Sequence, residues 1–251
     1  MIVYGHRGAR GEAPENTIAG AKHAVRRGVR HLEIDLRLSA DGELVVIHDS
    51  SVTRTAGPIP SSRGRGKEMV EALDSRMLAK LDARQDGPPW PNKRDTGVPT
   101  LSRLVKAVPE IKHWQLELKS LGRAQNPELA QAVVAWLQTH AIAAVVTSSS
   151  TALLRAVKRA LPEQPIGLVA TKEDIESTLD ELGCDYLIAH WKTLNDGRRQ
   201  RRIQKRGIHI STWTVNDASV VETLYRQGID SVITDYPSMA LPLVAGLKRR
   251  A

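Results

Sequence analysis

A chain of 251 residues with 41% hydrophobic and 25% charged residues can bury a sizeable core, which excludes a wholly disordered, collagen-like or disulfide-scaffold protein. Lys and Arg total 36 against 28 Asp and Glu; the resulting charge of +8 is compatible with nucleic acid, an anionic membrane surface or an anionic small substrate, and does not choose among them. Cys184 is the single cysteine, so neither an intrachain disulfide nor a thiolate metal cluster can form.

Short apolar or alternating runs, each followed by helical spacing, recur along the chain. The first strand is expected at Ile2–Gly5 and the first helix at Asn16–Arg27. A second strand, Leu32–Leu38, meets a tight Asp41-Gly42 turn, so Glu43–Ile47 should fold back on it as a short strand. From residue 50 to 99 the rhythm breaks: Gly57, Pro58, Pro60, Gly87, Pro88, Pro89, Pro91 and Pro99 surround one expected helix near Lys67–Arg84. Strands are then expected at Gln115–Leu118, Ala143–Thr147, Ile166–Val169, Tyr186–Ala189, Ile208–Val215 and Ser231–Thr234. Helices separate or follow them at Pro127–Thr139, Ala152–Ala160, Lys172–Leu182, Ala218–Gln227 and Pro237–Lys248. Gly28, Gly183, Gly207 and Gly228 each stand just before a strand, where the end of a helix favours positive φ. Eight such units joined by right-handed crossovers imply a parallel sheet closed into a (β/α)8, or TIM, barrel. We read residues 1–251 as one catalytic domain, with 50–99 inserted after the second barrel strand. Phe is absent, so Ile, Val, Leu and Ala must fill the core, as suits parallel strands covered by helices.

No apolar run reaches the roughly 18 residues needed to cross a bilayer; Met239–Leu247 is the nearest and contains Pro242 and Gly246. Met1–Gly5 is too short for a signal peptide ahead of the polar cluster His6–Glu12, so no membrane span is expected and the cytoplasm is the expected compartment.

In the segment HLEIDLRLS, Leu32, Ile34, Leu36 and Leu38 alternate with Glu33, Asp35 and Arg37. Helices cover the outside of a parallel barrel, so the charged face should point inward, where an isolated carboxylate needs a cation, a proton or several donors. The next barrel strand repeats the pattern with Gln115, Glu117 and Lys119 on the charged side. Strand neighbours lie about 4.8 Å apart and alternate residues about 6.6 Å apart, so Glu33, Asp35 and Glu117 can reach one point. A divalent ion would remove their mutual repulsion, and an all-oxygen ligand set favours Mg2+ or Ca2+. His6 and His48 follow strands at the same mouth and make a plausible acid and base pair. Arg7, Gly5, Gly8 and Gly11 surround His6 with a guanidinium and what should be exposed backbone, a combination that suits a phosphate. His23, His31, His113, His140 and His190 are expected to be structural, and His209 is left open.

The ordered set GHRGARGEAPENT, EIDLRLSADGELVVIHDSSVTRT, LELK, WTVN and GIDSVITDYP resembles the successive motifs of the glycerophosphodiester phosphodiesterase family, from residue 5 to about 237. The resemblance implies a metal-dependent TIM-barrel hydrolase that splits a glycerophosphodiester into sn-glycerol 3-phosphate and an alcohol. It implies that Glu33, Asp35 and Glu117 hold one divalent cation and that His6 and His48 are the acid and base, with Arg7 beside them in catalysis. Arg7 and Lys119 would contact the phosphate, and Trp213 would face the glycerol. The segment 50–99 matches the family's inserted segment. Ser148, Ser149 and Ser150 depart from it where members often carry an aromatic residue.

Water and the glycerol 2-hydroxyl both remain open as the attacking group, as does the assignment of acid and base between the histidines. A lysophospholipase D-type activity on the same barrel would require an apolar groove in 50–99, which is mostly polar. A basic nucleic-acid-binding protein would account for the charge and leave the buried acids unexplained; the run GRRQRRIQKRG at 197–207 has no interleaved aromatic residue and reads as a solvated helix face. The expected partner is a small glycerophosphodiester rather than nucleic acid, with the oligomeric state left open.

Overall fold

Runs rich in Val, Ile and Leu form the strands of the computed structural model, which describes residues 1–57, 68–120, 126–170, 175–194 and 196–248. Strands β1 (Ile2–His6), β2 (His31–Leu38), β4 (His113–Leu118), β5 (Ala144–Ser148), β6 (Ile166–Ala170), β7 (Tyr186–His190), β8 (His209–Trp213) and β9 (Ser231–Thr234) are parallel neighbours, and β1–β2 pairing closes the barrel. The short β3 (Leu44–Val46) folds back antiparallel on the outer end of β2 through the turn at Gly42, whose φ is 75°.

The eight-unit TIM-barrel reading is therefore correct, and most helices lie where spacing places them. These are α1 (Ile18–Arg26), α5 (Asn126–Thr139), α6 (Thr151–Ala160), α8 (Gly197–Gln204), α9 (Ala218–Arg226) and α10 (Pro237–Lys248); a further helix, α4 (Leu101–Ala107), precedes β4. Of the helix expected at Lys172–Leu182, α7 (Glu176–Leu182) is observed, while residues 171–174 lie outside the described residues. Gly28, Gly183, Gly207 and Gly228 all have positive φ, between 60° and 95°, at the helix ends where the sequence places them. α1 starts two residues later than expected because Thr17 caps it, accepting from the Gly20 amide at 3.0 Å, and Asn16 turns away with φ 54°.

Two layers of apolar side chains hold the barrel. Leu32, Ile34, Leu36, Leu116 and Leu118 face outward from β2 and β4 and pack under the helices. Inside, Tyr4, Val169, Ile188 and Ile233 fill the barrel below its C-terminal mouth. Tyr4 also shares a hydrogen bond with His113 at 2.9 Å and meets the His31 and His113 rings edge-on, while Tyr186 stacks on His113 and packs against His209. Burial pushes His113 down to about 4, as expected for a neutral packing histidine.

The inserted segment departs from the expected single helix near Lys67–Arg84. Residues 58–67, including Pro58, Pro60 and Lys67, lie outside the described residues; beyond them the chain makes a 3-10 turn at Val70–Ala72 and only the one-turn α3 (Ser75–Leu78). The Asp41 carboxylate accepts from the Ser75 amide at 2.9 Å and hydroxyl at 2.7 Å, and Val70, Leu73 and Leu78 turn into a second small core with Val45, Ile47, Val52 and Val98. Tertiary burial thus overrides the helical spacing. On α8, Gln200 and Ile203 point inward while Arg199 and Arg202 pair with Glu176 of α7 at 3.3 and 2.8 Å; Arg206, just past the helix, also pairs with Glu176 and bonds Asp180. Much of the repulsion in the basic run is therefore relieved locally. No helix among the described residues is long and apolar enough to cross a membrane.

Leu116 is fully buried between sheet and helices, whereas Met77 is 46% exposed. Leu116→Ala should lower the unfolding free energy in urea by about 2–5 kcal/mol, and Met77→Ala should change it by no more than about 0.5 kcal/mol. Equal effects would contradict the placement of the core.

Candidate active site

The strand register brings the acids together. His6 pairs with Glu33, Glu33 with Gln115 and Asp35 with Glu117, so inward-facing side chains from β1, β2 and β4 stand at adjacent heights. One oxygen from each of Glu33, Asp35 and Glu117 lies within 4.8 Å of the others, and Glu33 and Asp35 are buried. Glu33 and Glu117 border a cavity of about 180 Å3 at the C-terminal mouth, lined also by His6, Arg7, His48, Lys119 and Trp213, with Val169, Ile188 and Ile233 as apolar floor, while Asp35 lies beside it against Arg7 and Lys119. All eight residues singled out in the sequence are therefore at or beside this cavity.

The loop after β1 owes its shape to close contacts. A Cβ on Gly5 would lie 2.0 Å from the Gly8 carbonyl oxygen, and one on Gly11 would lie 2.4 Å from the Tyr236 ring. Gly5 and Gly8 are buried, so the expectation of open backbone around His6 is corrected: these glycines let the loop fold tightly against itself, α1 and Tyr236. Arg7 takes a positive φ of 50°, uncommon without glycine, which aims its amide at Glu33 Oε2, 3.2 Å away.

Both histidines are backed by carboxylates. His6 Nδ1 lies 2.5 Å from Asp235 Oδ1, which places its proton on Nδ1 and turns Nε2 toward Glu33 Oε2 at 3.8 Å. Asp235 is itself fixed by the Asn216 side-chain amide at 2.7 Å and by its own amide donating to Asn216 Oδ1 at 2.9 Å. His48 Nδ1 lies 2.6 Å from Asp49 Oδ1, and the His48 carbonyl accepts from Arg37 Nε at 2.8 Å. Burial pushes the His48 imidazole below its ordinary value.

Charge in the cluster is divided unevenly. Lys119 Nζ reaches Glu117 Oε1 at 2.5 Å and Asp35 Oδ1 at 3.0 Å, while Arg7 Nε lies 3.1 Å from Asp35 Oδ2. Burial opposes charge on Asp35, yet Lys119 and Arg7 hold its carboxyl well below the usual range, and Asn16 adds a bond at 2.8 Å. Burial, Asp35 and Glu117 push Glu33 well above it, and burial also raises Glu117. Arg7 and Lys119, expected at the phosphate, thus line the cavity while pairing with its acids. Two cations against three carboxylates leave Glu33 uncompensated, and its Oε1 is buried without a hydrogen-bond partner among the described residues. Oxygen donors, an orphaned acceptor and residual negative charge together fit a hard divalent cation.

Trp213 borders the cavity at the end of β8 and meets the His190 ring edge-on, 5.4 Å between centroids. His190 thus packs against the pocket wall. His23 bonds Glu12 at 2.9 Å and His140 stacks on Trp136 at 4.0 Å, as expected of structural histidines. Ser149 borders the cavity from the position where the family resemblance leads one to expect an aromatic wall.

Sequence reasoning missed Asp235, Asn216, Asn16, Glu15, Asp49 and Arg54. Asp235 could have been found, since a charged residue directly after the last barrel strand must stand at the mouth. Asn16 was hidden inside an apparent helix, and Glu15 and Arg54 meet only through the folded insertion.

A (β/α)8 barrel with an acid-lined cavity and two carboxylate-backed histidines at its C-terminal mouth defines a barrel hydrolase. Residues 6–239 match the glycerophosphoryl diester phosphodiesterase family. The chain belongs to that family, and is a phosphoric diester hydrolase of the glycerophosphodiester phosphodiesterase type. It is 28% identical over 248 residues to the glycerophosphodiester phosphodiesterase of Caldanaerobacter subterraneus subsp. tengcongensis, covering 97% of both chains. It superposes on an Oleispira antarctica phosphodiesterase, solved in complex with the product sn-glycerol-3-phosphate, with a TM-score of 0.82 and 27% identity, covering 98% of this chain and 97% of that one. The glycerophosphodiester phosphodiesterase of Thermotoga maritima shares the fold at a TM-score of 0.78 and 23% identity, covering 97% and 98%.

The acid stability of the mouth follows from Glu15, whose side chain is 2% exposed. Burial disfavours its charge, but Arg54, Arg7 and Arg10 outweigh burial and lower it from 4.5 to about 2. A folded-state value below the unfolded one gives stability that is present above about pH 4.5 and lost as pH falls toward 2. Denaturant unfolding should show wild-type protein losing more stability than Glu15→Gln between about pH 6 and about pH 3. An identical pH slope in both would contradict this pairing.

Proposed function

We propose that the chain hydrolyses glycerophosphodiesters to sn-glycerol 3-phosphate and an alcohol, with one divalent cation, Mg2+ or Ca2+, and His6 and His48 as the acid and base. The convergence of Glu33, Asp35 and Glu117 beside both imidazoles carries this reading. Held by those three carboxylates, such an ion supplies Lewis-acid neutralisation of a phosphoryl oxygen.

The chain's own residues do the rest. Arg7 and Lys119 border the cavity and place positive charge on the phosphate, where charge grows in the transition state. The Asp235 carboxylate keeps the His6 proton on Nδ1, and Asp49 does the same for His48, leaving each Nε2 free to take or give a proton. One imidazole relieves the attacking oxygen of its proton and the other protonates the departing alcohol. The indole of Trp213 and the floor of Val169, Ile188 and Ile233 offer apolar surface to the carbon side of glycerol. A cavity of about 180 Å3 suits a glycerophosphate headgroup rather than an acyl chain. The product named with the Oleispira antarctica relative supports the same assignment.

Metal-stripped protein should lose hydrolysis of soluble glycerophosphodiesters and regain it with Mg2+ or Ca2+. His6→Ala and His48→Ala should each lower kcat by about 100-fold or more with the fold retained. Full activity in excess EDTA with no metal by elemental analysis, or near-normal rates in both histidine variants on a diester with a poor leaving group, would contradict the reading.

A further inference from the structure

We propose that Arg54, on the inserted segment, is a positioning residue that sets the His48 imidazole and the Arg7 guanidinium together, acting on each through one carboxylate. The proposal rests on the reading of His48 as a proton-transfer group and Arg7 as a phosphate contact.

Arg54 lies in α2 (Thr53–Ala56), a single helical turn six residues beyond His48. Its Nε donates to Asp49 Oδ2 at 2.6 Å, and the other oxygen of Asp49 accepts from His48 Nδ1 at 2.6 Å. Its two terminal nitrogens grip Glu15, Nη2 to Oε1 at 2.7 Å and Nη1 to Oε2 at 3.0 Å. The same Glu15 Oε1 accepts from Arg7 Nη1 at 3.0 Å. Nη1 also bonds Asp86, so one side chain ties the loop after β1, the chain after β3 and a later part of the insertion.

The geometry demands a guanidinium. Three nitrogens in one rigid plane address two carboxylates, each of which also holds a different group of the cavity, and a lysine ammonium, a point charge on a flexible stem, cannot reproduce those directions. Glu15 is buried, so its orientation is set by the arginines around it, Arg7, Arg10 and Arg54, and not by solvent. Asp49 is about one-third exposed and would rotate freely without Arg54, letting the His48 ring turn its Nε2 away from the cavity. The network does more than offset the buried charge of Glu15, whose loss of a partner would cost stability. Its consequence is orientation: both groups it indirectly holds line the same cavity.

The test combines Arg54→Gln, Arg54→Lys and Asp86→Asn with kinetics on a soluble glycerophosphodiester, with circular dichroism to verify folding. Partners that orient reacting groups typically matter by about 10- to 100-fold, so Arg54→Gln should lower kcat by that factor and raise KM through Arg7. On a His48→Ala background the kcat loss should shrink to within about threefold while the rise in KM persists, the non-additivity expected of groups acting as one unit. Arg54→Lys should recover no more than a few-fold, and Asp86→Asn, which leaves the bonds to Glu15 and Asp49 in place, should stay within about twofold of wild type. In substrate-free protein, 15N NMR of the His48 ring should show a fixed Nδ1-protonated tautomer in wild type and a mixture in Arg54→Gln. An undiminished kcat loss on the His48→Ala background, full rescue by lysine, an equal loss in Asp86→Asn, or an unchanged His48 ring signal would each overturn the proposal. Wild-type protein inactive on every glycerophosphodiester would defeat the functional reading instead, and the ring signal, which needs no substrate, would still decide the role of Arg54.

Discussion

Three carboxylates crowded onto two neighbouring strands, two of them buried, are the constraint around which the mouth of this barrel is organised. At an effective dielectric near 20, unit charges about 4 Å apart repel by about 4 kcal/mol, so Glu33, Asp35 and Glu117 cannot stand together without positive charge close by. Lys119 and Arg7 answer part of that demand and hold Asp35 ionised. Glu33 is left raised and with an orphaned oxygen, an arrangement that a divalent cation would complete. The positive φ of Arg7 and the absence of side chains at Gly5 and Gly8 follow from the same demand, since they bring the Arg7 amide and guanidinium onto the acids.

The two histidines are supported in different ways. His6 is buried at the end of β1, and its Asp235 comes from the end of β9, the neighbouring strand in the closed barrel, so barrel closure itself fixes that pair. His48 stands after the antiparallel β3, outside the barrel wall, and depends on Arg37, Asp49 and the folded insertion for its placement. One of the two cavity histidines thus belongs to the scaffold and the other to a segment added to it.

The strands and the acid cluster were legible because they obey local rules. Period-two alternation in HLEIDLRLS and LELK identifies one charged face on each strand, and parallel pairing at 4.8 Å forces those faces together. His6 was legible because a residue at the end of a barrel strand stands at the mouth, His48 because it ends the hairpin that folds back on β2, and Trp213 through the family resemblance of WTVN. The remaining parts depend on contacts between distant segments. Asn16 lies in a stretch that reads as helix until Thr17 caps it, and only the fold shows its amide turned to Asp35. The glycines after β1 suggested open backbone, whereas neighbours far along the chain, such as Tyr236 against Gly11, show that close packing is what requires them. In the insertion, hydrophobic spacing suggested one helix, but a hydrogen bond from Ser75 to Asp41 and burial of Val70, Leu73 and Leu78 against β3 break it into turns. Arg54 was invisible for the same reason, because both its carboxylate partners matter only through what they hold in the folded mouth.

The claim that the carboxylate cluster is a cation site is tested most directly by calorimetric titration of metal-free protein with Mg2+ and Ca2+ in the absence of substrate. The account predicts one ion per chain, with binding weakened at least about 100-fold in Glu33→Gln and in Glu117→Gln while the proteins remain folded. Undetectable binding to wild-type protein, or an affinity unchanged by both substitutions, would contradict it.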